Sequence, residues 1–243
     1  MGVAPWNELE ARIRTEPPPR VDLSTVPDPV RRYFERALGS DPRPARGAVL
    51  EMRGQIKLGR WLPFRARQLL APRHGTVWRA RVGWVISGSD RFVGGDGGMD
   101  WRVLGVVPVM RASGADVARS AAERAGAESI WVPAAVMPGA ASWRAHDDTQ
   151  LEARFDVGGH AVALSHVVDS DGALRASSIQ RWGDPDNTGT WQALPFGVEV
   201  TDERTFAGTT IPSSGRAGWH FGTERWPDGE FFRFTITDYR LLR

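Results

Sequence analysis

Three residues in this chain have types and surroundings suited to acid–base chemistry: Glu128, Arg181 and His220. Glu128 stands three residues before Trp131, so on a helix the two share a face. If that face is buried, the indole strips water from the carboxylate and raises its pKa, which suits a general acid or base. The plainer alternative is an ion pair with one of the chain's arginines, tying helix to sheet. Arg181 opens the string Arg181-Trp182-Gly183-Asp184 at the end of an extended run, where it could stack on a ring or bind an oxyanion. In Trp219-His220, strand alternation lets only one side chain face inward. Trp219 is the natural choice, which makes His220 a surface residue more readily than a base.

Several familiar signatures fail on their spacing. Gly94-Gly95-Asp96-Gly97-Gly98 has Asp100 where a dinucleotide fingerprint needs glycine, and Trp101-Arg102-Val103-Leu104 continues as strand instead of opening a helix. It reads as a hairpin turn. Asp184-Pro185-Asp186-Asn187-Thr188-Gly189 imitates a calcium loop, but Pro195 stands where the bidentate glutamate belongs. His160 and His166 are about 20 Å apart along a strand and cannot share a metal ion. The chain has no Cys, which removes disulfides, thiolate–metal sites and cysteine nucleophiles. There is no Gly-x-Ser-x-Gly elbow, and Lys57, the single lysine, lies on a polar strand face unsuited to a Schiff base. Neither a metal nor a cofactor is expected.

What remains is polar groups set among large rings, since 11 Trp and 10 Phe outnumber 2 Tyr. Trp78, Trp84, Trp101, Trp131, Trp143 and Trp182 are the candidates to line a pocket for a hydrophobic small molecule. The net charge is +2, and no segment gathers five or six basic residues, so nucleic acid is not the expected partner. No apolar run is long enough for an integral membrane segment. The start, Met1 to Glu8, lacks a basic stretch followed by an apolar one, so a cytoplasmic location is expected. Nothing in the pattern fixes an oligomeric state.

The elements that must position these groups change period near residue 47. Before it, Trp6, Leu9 and Ile13 recur at helical spacing ahead of Pro17-Pro18-Pro19, a stiff spacer. A second helix carries Val30, Phe34, Ala37 and Leu38, with Asp28 as cap, Pro29 in its first turn and Gly39 at its end. Pro42 and Pro44 close this helical arm, residues 1–45. From there the period is two: Leu50, Met52, Ile56 and Leu58 alternate with Glu51, Arg53, Gln55 and Lys57. Gly158-Gly159 predicts a hairpin that pairs Val157 with His160, Phe155 with Val162 and Leu151 with His166. Later strands are expected at 173–182, 189–200, 203–211, 214–221 and 230–241, the last with Phe232, Phe234 and Ile236 on one face. One helical stretch, about 115–137, interrupts them. Residues 46–243 are thus expected to form a mainly β (α+β) domain, a large antiparallel sheet curled into a half-barrel or open barrel around that helix.

The strings Arg181-Trp182-Gly183-Asp184-Pro185-Asp186, Pro195-Phe196-Gly197, Thr210-Ile211-Pro212 and Gly218-Trp219-His220-Phe221-Gly222 resemble an uncharacterised bacterial family, a domain of unknown function. Pro27 to Tyr33 and Glu128 to Pro133 fit the same pattern, so the likeness spans about residues 26–241. That family brings no activity with it. More loosely, the architecture is similar to the half-barrel of bacterial lipoprotein carriers, which some cofactor-free enzymes share. Two readings follow. Either an aromatic cavity folds a hydrophobic substrate for cyclisation or isomerisation, with Glu128 and an arginine moving protons, or it only binds a lipid-like ligand. The discriminator is whether a free acid or base converges there with an oxyanion donor.

Overall fold

The computed structural model describes residues 4–15, 23–39 and 44–242. Its strands are β1 (Gly47–Leu58), β2 (Arg60–Ala71), β3 (Gly75–Val82), β4 (Ile86–Val93), β5 (Asp96–Val103), β6 (Val107–Ser113) and β7 (Ser142–Ala145), then β8 (Gln150–Val157), β9 (His160–Val168), β10 (Leu174–Gly183), β11 (Gln192–Phe206), β12 (Thr209–Trp219) and β13 (Glu230–Leu242). They form one antiparallel sheet in the order β6-β5-β4-β3-β2-β1-β13-β12-β11-β10-β9-β8-β7. Two meanders are therefore joined at the middle, where β1 pairs with β13 from Gly47↔Leu242 to Ile56↔Phe232. β6 and β7 are edges, so the sheet is open.

The sheet curls, and one helix shows why. α3 (Ala115–Ala127) touches both β5 and β10, which are eight places apart in the sheet order. In a flat sheet that separation is roughly 38 Å, at about 4.8 Å per strand, whereas a helix is only about 10–12 Å across. Both contacts exist because the sheet wraps around α3.

The register of β9 and β10 makes room for the helix. Their pairing stops at Ser178↔Ser165; beyond it Ile179–Gly183 pair only with β11 and Ala161–Leu164 only with β8. α3 packs over this split and bonds to β10: the Glu123 carboxylate accepts the Trp182 backbone N–H, and the Ser120 carbonyl accepts the Arg181 side-chain Nε at 3.2 Å. Gly126 permits the approach, since a Cβ there would stand 2.8 Å from a Val162 methyl.

The helices before β1 cover other surfaces. α1 (Pro5–Thr15) lays Leu9 and Ile13 on Val49, Leu69, Val77 and Val93, the sheet face opposite α3. Trp6 sits there between the Arg67 and Arg79 guanidiniums, at 5.1 and 5.2 Å. Where α1 covers β2 and β3 both of their faces are buried, so the period-two pattern gives way to unbroken burial over Leu69–Ala71 and Gly75–Trp78. α2 (Asp28–Leu38) packs Phe34 and Tyr33 against Trp143 at the other edge of the sheet.

Several expectations need correction. The helix beginning at 115 ends at Ala127, and two short 3₁₀ turns, Glu128–Trp131 and Pro133–Ala135, replace its expected continuation to 137. The break expected near 201–202 is a pair of bulges within β11, and the true turn is Ala207-Gly208, both at positive φ. Bulges disturb alternation as a turn does. Asp28 does not cap α2; its carboxylate takes Arg31 at 2.6 Å. The expected hairpin register is as predicted, with Leu151 opposite His166, and Gly94-Gly95 closes the β4–β5 hairpin. The spacer Pro17–Pro19 and Pro42 lie outside the described residues.

Candidate functional site

Between α3 and the concave face of the sheet lies a cavity of about 570 Å³. Its walls follow from alternation. β1, β3 and β13 point Ile56, Trp78, Phe232 and Phe234 inward, and β10, β11 and β12 add Ile179, Phe196, Ala217 and Trp219. α3 and the turn after it contribute Ala121, Ala127, Ile130 and Trp131. The loop from Asp184 to Asn187, together with Trp191, forms a further wall. Trp219 packs against Gly183, where a Cβ would stand 2.2 Å from the indole.

One wall is ionic. Arg124 Nε donates to Glu128 Oε1 at 2.8 Å and Arg124 Nη1 to Asp90 Oδ2 at 2.8 Å. Glu128 Oε2 accepts from Gln68 Nε2 at 2.6 Å, and Asp90 Oδ1 from Trp101 Nε1 at 2.8 Å. Burial opposes the Arg124 charge, but Glu128 and Asp90 outweigh it and hold that guanidinium's pKa above its ordinary value. All three side chains keep less than a fifth of their surface exposed, so this is a buried cluster of two carboxylates around one guanidinium, left with one net negative charge.

Arg181 faces the same space in a different state. Its guanidinium lies over the Phe196 ring at 4.7 Å and the Trp219 ring at 5.0 Å. Burial, reinforced by the Arg124 charge, lowers its pKa to about 10 against the pull of Glu128, Glu123 and Asp90. Arg181 is half-buried and lines the cavity.

Of the residues picked from the sequence, Glu128, Arg181, Trp78 and Trp131 line the cavity. The others do not. His220 is neither in the wall nor on the surface: it is buried in the β12–β13 connection at φ 60°, where its carbonyl accepts from Thr223. Trp84 is 95% exposed at the tip of the β3–β4 hairpin, a turn position that no core can reach. Trp101 stands behind Trp78, ring centroids 5.7 Å apart, with its N–H spent on Asp90. Trp143 belongs to the packing under α2 and donates to the Val136 carbonyl at 2.7 Å. Trp182 points away from the inward-facing Arg181; Arg119, not Arg181, stacks on it at 4.1 Å, and Asp116 accepts its N–H.

The sequence reading missed Arg124, Asp90, Phe196 and Trp191. Arg124 carried a signal, being four residues before Glu128 on a helix. Asp90 carried none, because it is brought in by a strand of the other meander. Among the described residues no three His, Asp or Glu side chains gather closely enough to hold a metal ion. No described helix is long and apolar enough to cross a membrane.

An open antiparallel sheet wrapped round a helix, with an aromatic cavity between them, defines a β half-barrel with an internal pocket. Within that class, the chain belongs to a family of unknown function, DUF6544, whose model matches residues 18–231. No curated protein matches it. Among solved structures it is similar to a DUF1329 family protein from Desulfovibrio piger, at 12% identity over 81% of this chain and 86% of that one, with a TM-score of 0.44. It is also similar to a LolA superfamily protein from Nitrosomonas europaea, at 13% identity over 88% and 92% of the two chains, with a TM-score of 0.39. Both likenesses are distant, and the ligand chemistry has to come from the cavity itself.

Proposed function

We propose that the protein binds a hydrophobic small molecule in this cavity and holds it without changing its covalent structure. The observation that carries the reading is the wall: about 570 Å³ of space bounded mainly by apolar residues, Trp, Phe, Ile and Ala foremost, a size usual for small-molecule pockets. Use of the same cavity by a cyclase or isomerase would require an acid or base free to exchange a proton with the ligand. Glu128, the one sequence candidate for that role in the wall, has both oxygens engaged, by Arg124 and by Gln68. Those bonds support holding over chemistry. Titration with the neutral dye Nile red tests the proposal. The expected result is saturable binding, a blue-shifted dye emission and energy transfer from the wall tryptophans, Trp78, Trp131, Trp191 and Trp219; a signal that grows without saturation would contradict it.

A further inference from the structure

Six charged side chains line the cavity: Asp90, Arg91, Arg124, Glu128, Arg181 and Asp184. Three of them satisfy one another, with Arg124 between Asp90 and Glu128. Asp184 gives its oxygens to its own loop, Oδ1 to the Thr188 N–H at 2.9 Å and Oδ2 to the Gly189 N–H at 2.7 Å. Arg91 is half-buried and lies across Gly98, where a Cβ would stand 2.9 Å from its guanidinium carbon. Arg181 alone of the six lies over two rings of the wall, Phe196 and Trp219. Its Nε is bonded to the Ser120 carbonyl at 3.2 Å, and among the described residues no carboxylate pairs with it and no acceptor takes its terminal N–H groups. Glu123, three residues beyond Ser120, is already committed to Arg119 and to the Trp182 backbone.

Glu128, Glu123 and Asp90 attract this guanidinium from a distance, but none touches it, and its fork of N–H donors matches two oxygens of one anionic group. We propose that Arg181 reads the anionic head of the ligand, so that the molecule held here is an amphiphile with an apolar body and one carboxylate-like group. This rests on the cavity being a hydrophobic binding site. The apolar body would lie along Ile56, Trp78, Trp131 and Phe232, and the head would meet Arg181 where Phe196 and Trp219 exclude water. Exclusion of water strengthens such a contact. The depressed Arg181 pKa is in keeping with it, since a bound anion would restore what burial and Arg124 take from the cation.

The experiment compares decanoate, decanol and decylamine at neutral pH, by displacement of Nile red from the wild type, Arg181→Met and Arg181→Lys. In the wild type, decanoate should bind about tenfold or more tighter than decanol, the range of a charge-assisted hydrogen bond, and decylamine more weakly than either. Arg181→Met should abolish the preference, so that decanoate binds this variant no more tightly than decanol does, and Arg181→Lys should keep part of the preference. Equal binding of decanoate and decanol by the wild type, or a preference for decanoate that survives Arg181→Met, would overturn the anion reading and leave hydrophobic binding standing. Failure of all three to displace the dye would overturn hydrophobic binding of such chains as well. Should Arg181→Met not fold, the wild-type ranking of the three chains decides the matter.

Discussion

Arg124 and Glu128 stand one turn apart at the end of α3 and meet at 2.8 Å, while the other arm of the same guanidinium reaches Asp90 on β4 at 2.8 Å. This single cation ties the central helix to the first meander. Arg124→Met leaves two carboxylates buried and uncompensated, and should cost about 3–5 kcal/mol. Glu128→Gln leaves Arg124 its Asp90 partner and should cost less, about 1–2 kcal/mol. Urea midpoints measure both. Nile red affinity per folded Glu128→Gln molecule should match the wild type; a large loss of affinity at full stability would give Glu128 a direct role at the ligand.

His166 supplies a pH dependence unrelated to the cavity. It is buried against Tyr33 and Trp143, its Nδ1 has no partner, and burial lowers its pKa from 6.5 to about 4. Between those values the unfolded chain binds a proton that the folded one refuses. The stabilisation is therefore complete above about pH 6.5 and is lost as pH falls toward 4, in total about 3 kcal/mol. A His166→Phe variant should show a flatter urea midpoint across that interval; an unchanged slope would assign the acid sensitivity to other groups.

α1 covers the outer face of the sheet through two fully buried side chains. Leu9→Ala should cost about 2–4 kcal/mol, and removal of residues 1–20 should lower the melting temperature. A truncated chain that melts with the wild type would mean that the helix contributes nothing by docking.

Gly126 sets how closely α3 approaches β9. Gly126→Val drives a methyl into Val162 and should cost about 1–3 kcal/mol. Because α3 is also a cavity wall, the same variant should weaken Nile red binding, whereas Leu9→Ala, on the far face, should not.

Local chemistry made much of this fold readable from the residues. A Gly-Gly pair between alternating runs fixes the β8–β9 register, and the change of period near residue 47 separates helices from sheet. The site was harder to read because its parts converge through long-range pairing. β1 meets β13 across nearly the whole chain, and Asp90 reaches Arg124 only once the sheet has curled. Tryptophans alone could not say which would face the cavity. Trp84 had a local clue in Gly83, which marks a turn, but Trp101 and Trp78 both face the curl and differ only in depth. The Arg181 side chain was separable from Trp182 by alternation, though its lack of a carboxylate in contact is visible only with every carboxylate around it placed.

Filling the cavity tests the central claim most directly. Ala121 is half-buried on the cavity side of α3, so Ala121→Trp places an indole in the ligand's space. Nile red titration and urea unfolding on the same preparation give the answer. If the cavity is the binding site, saturable binding disappears while the urea midpoint stays close to the wild type. Wild-type dye affinity in a folded Ala121→Trp protein would show that the ligand binds elsewhere.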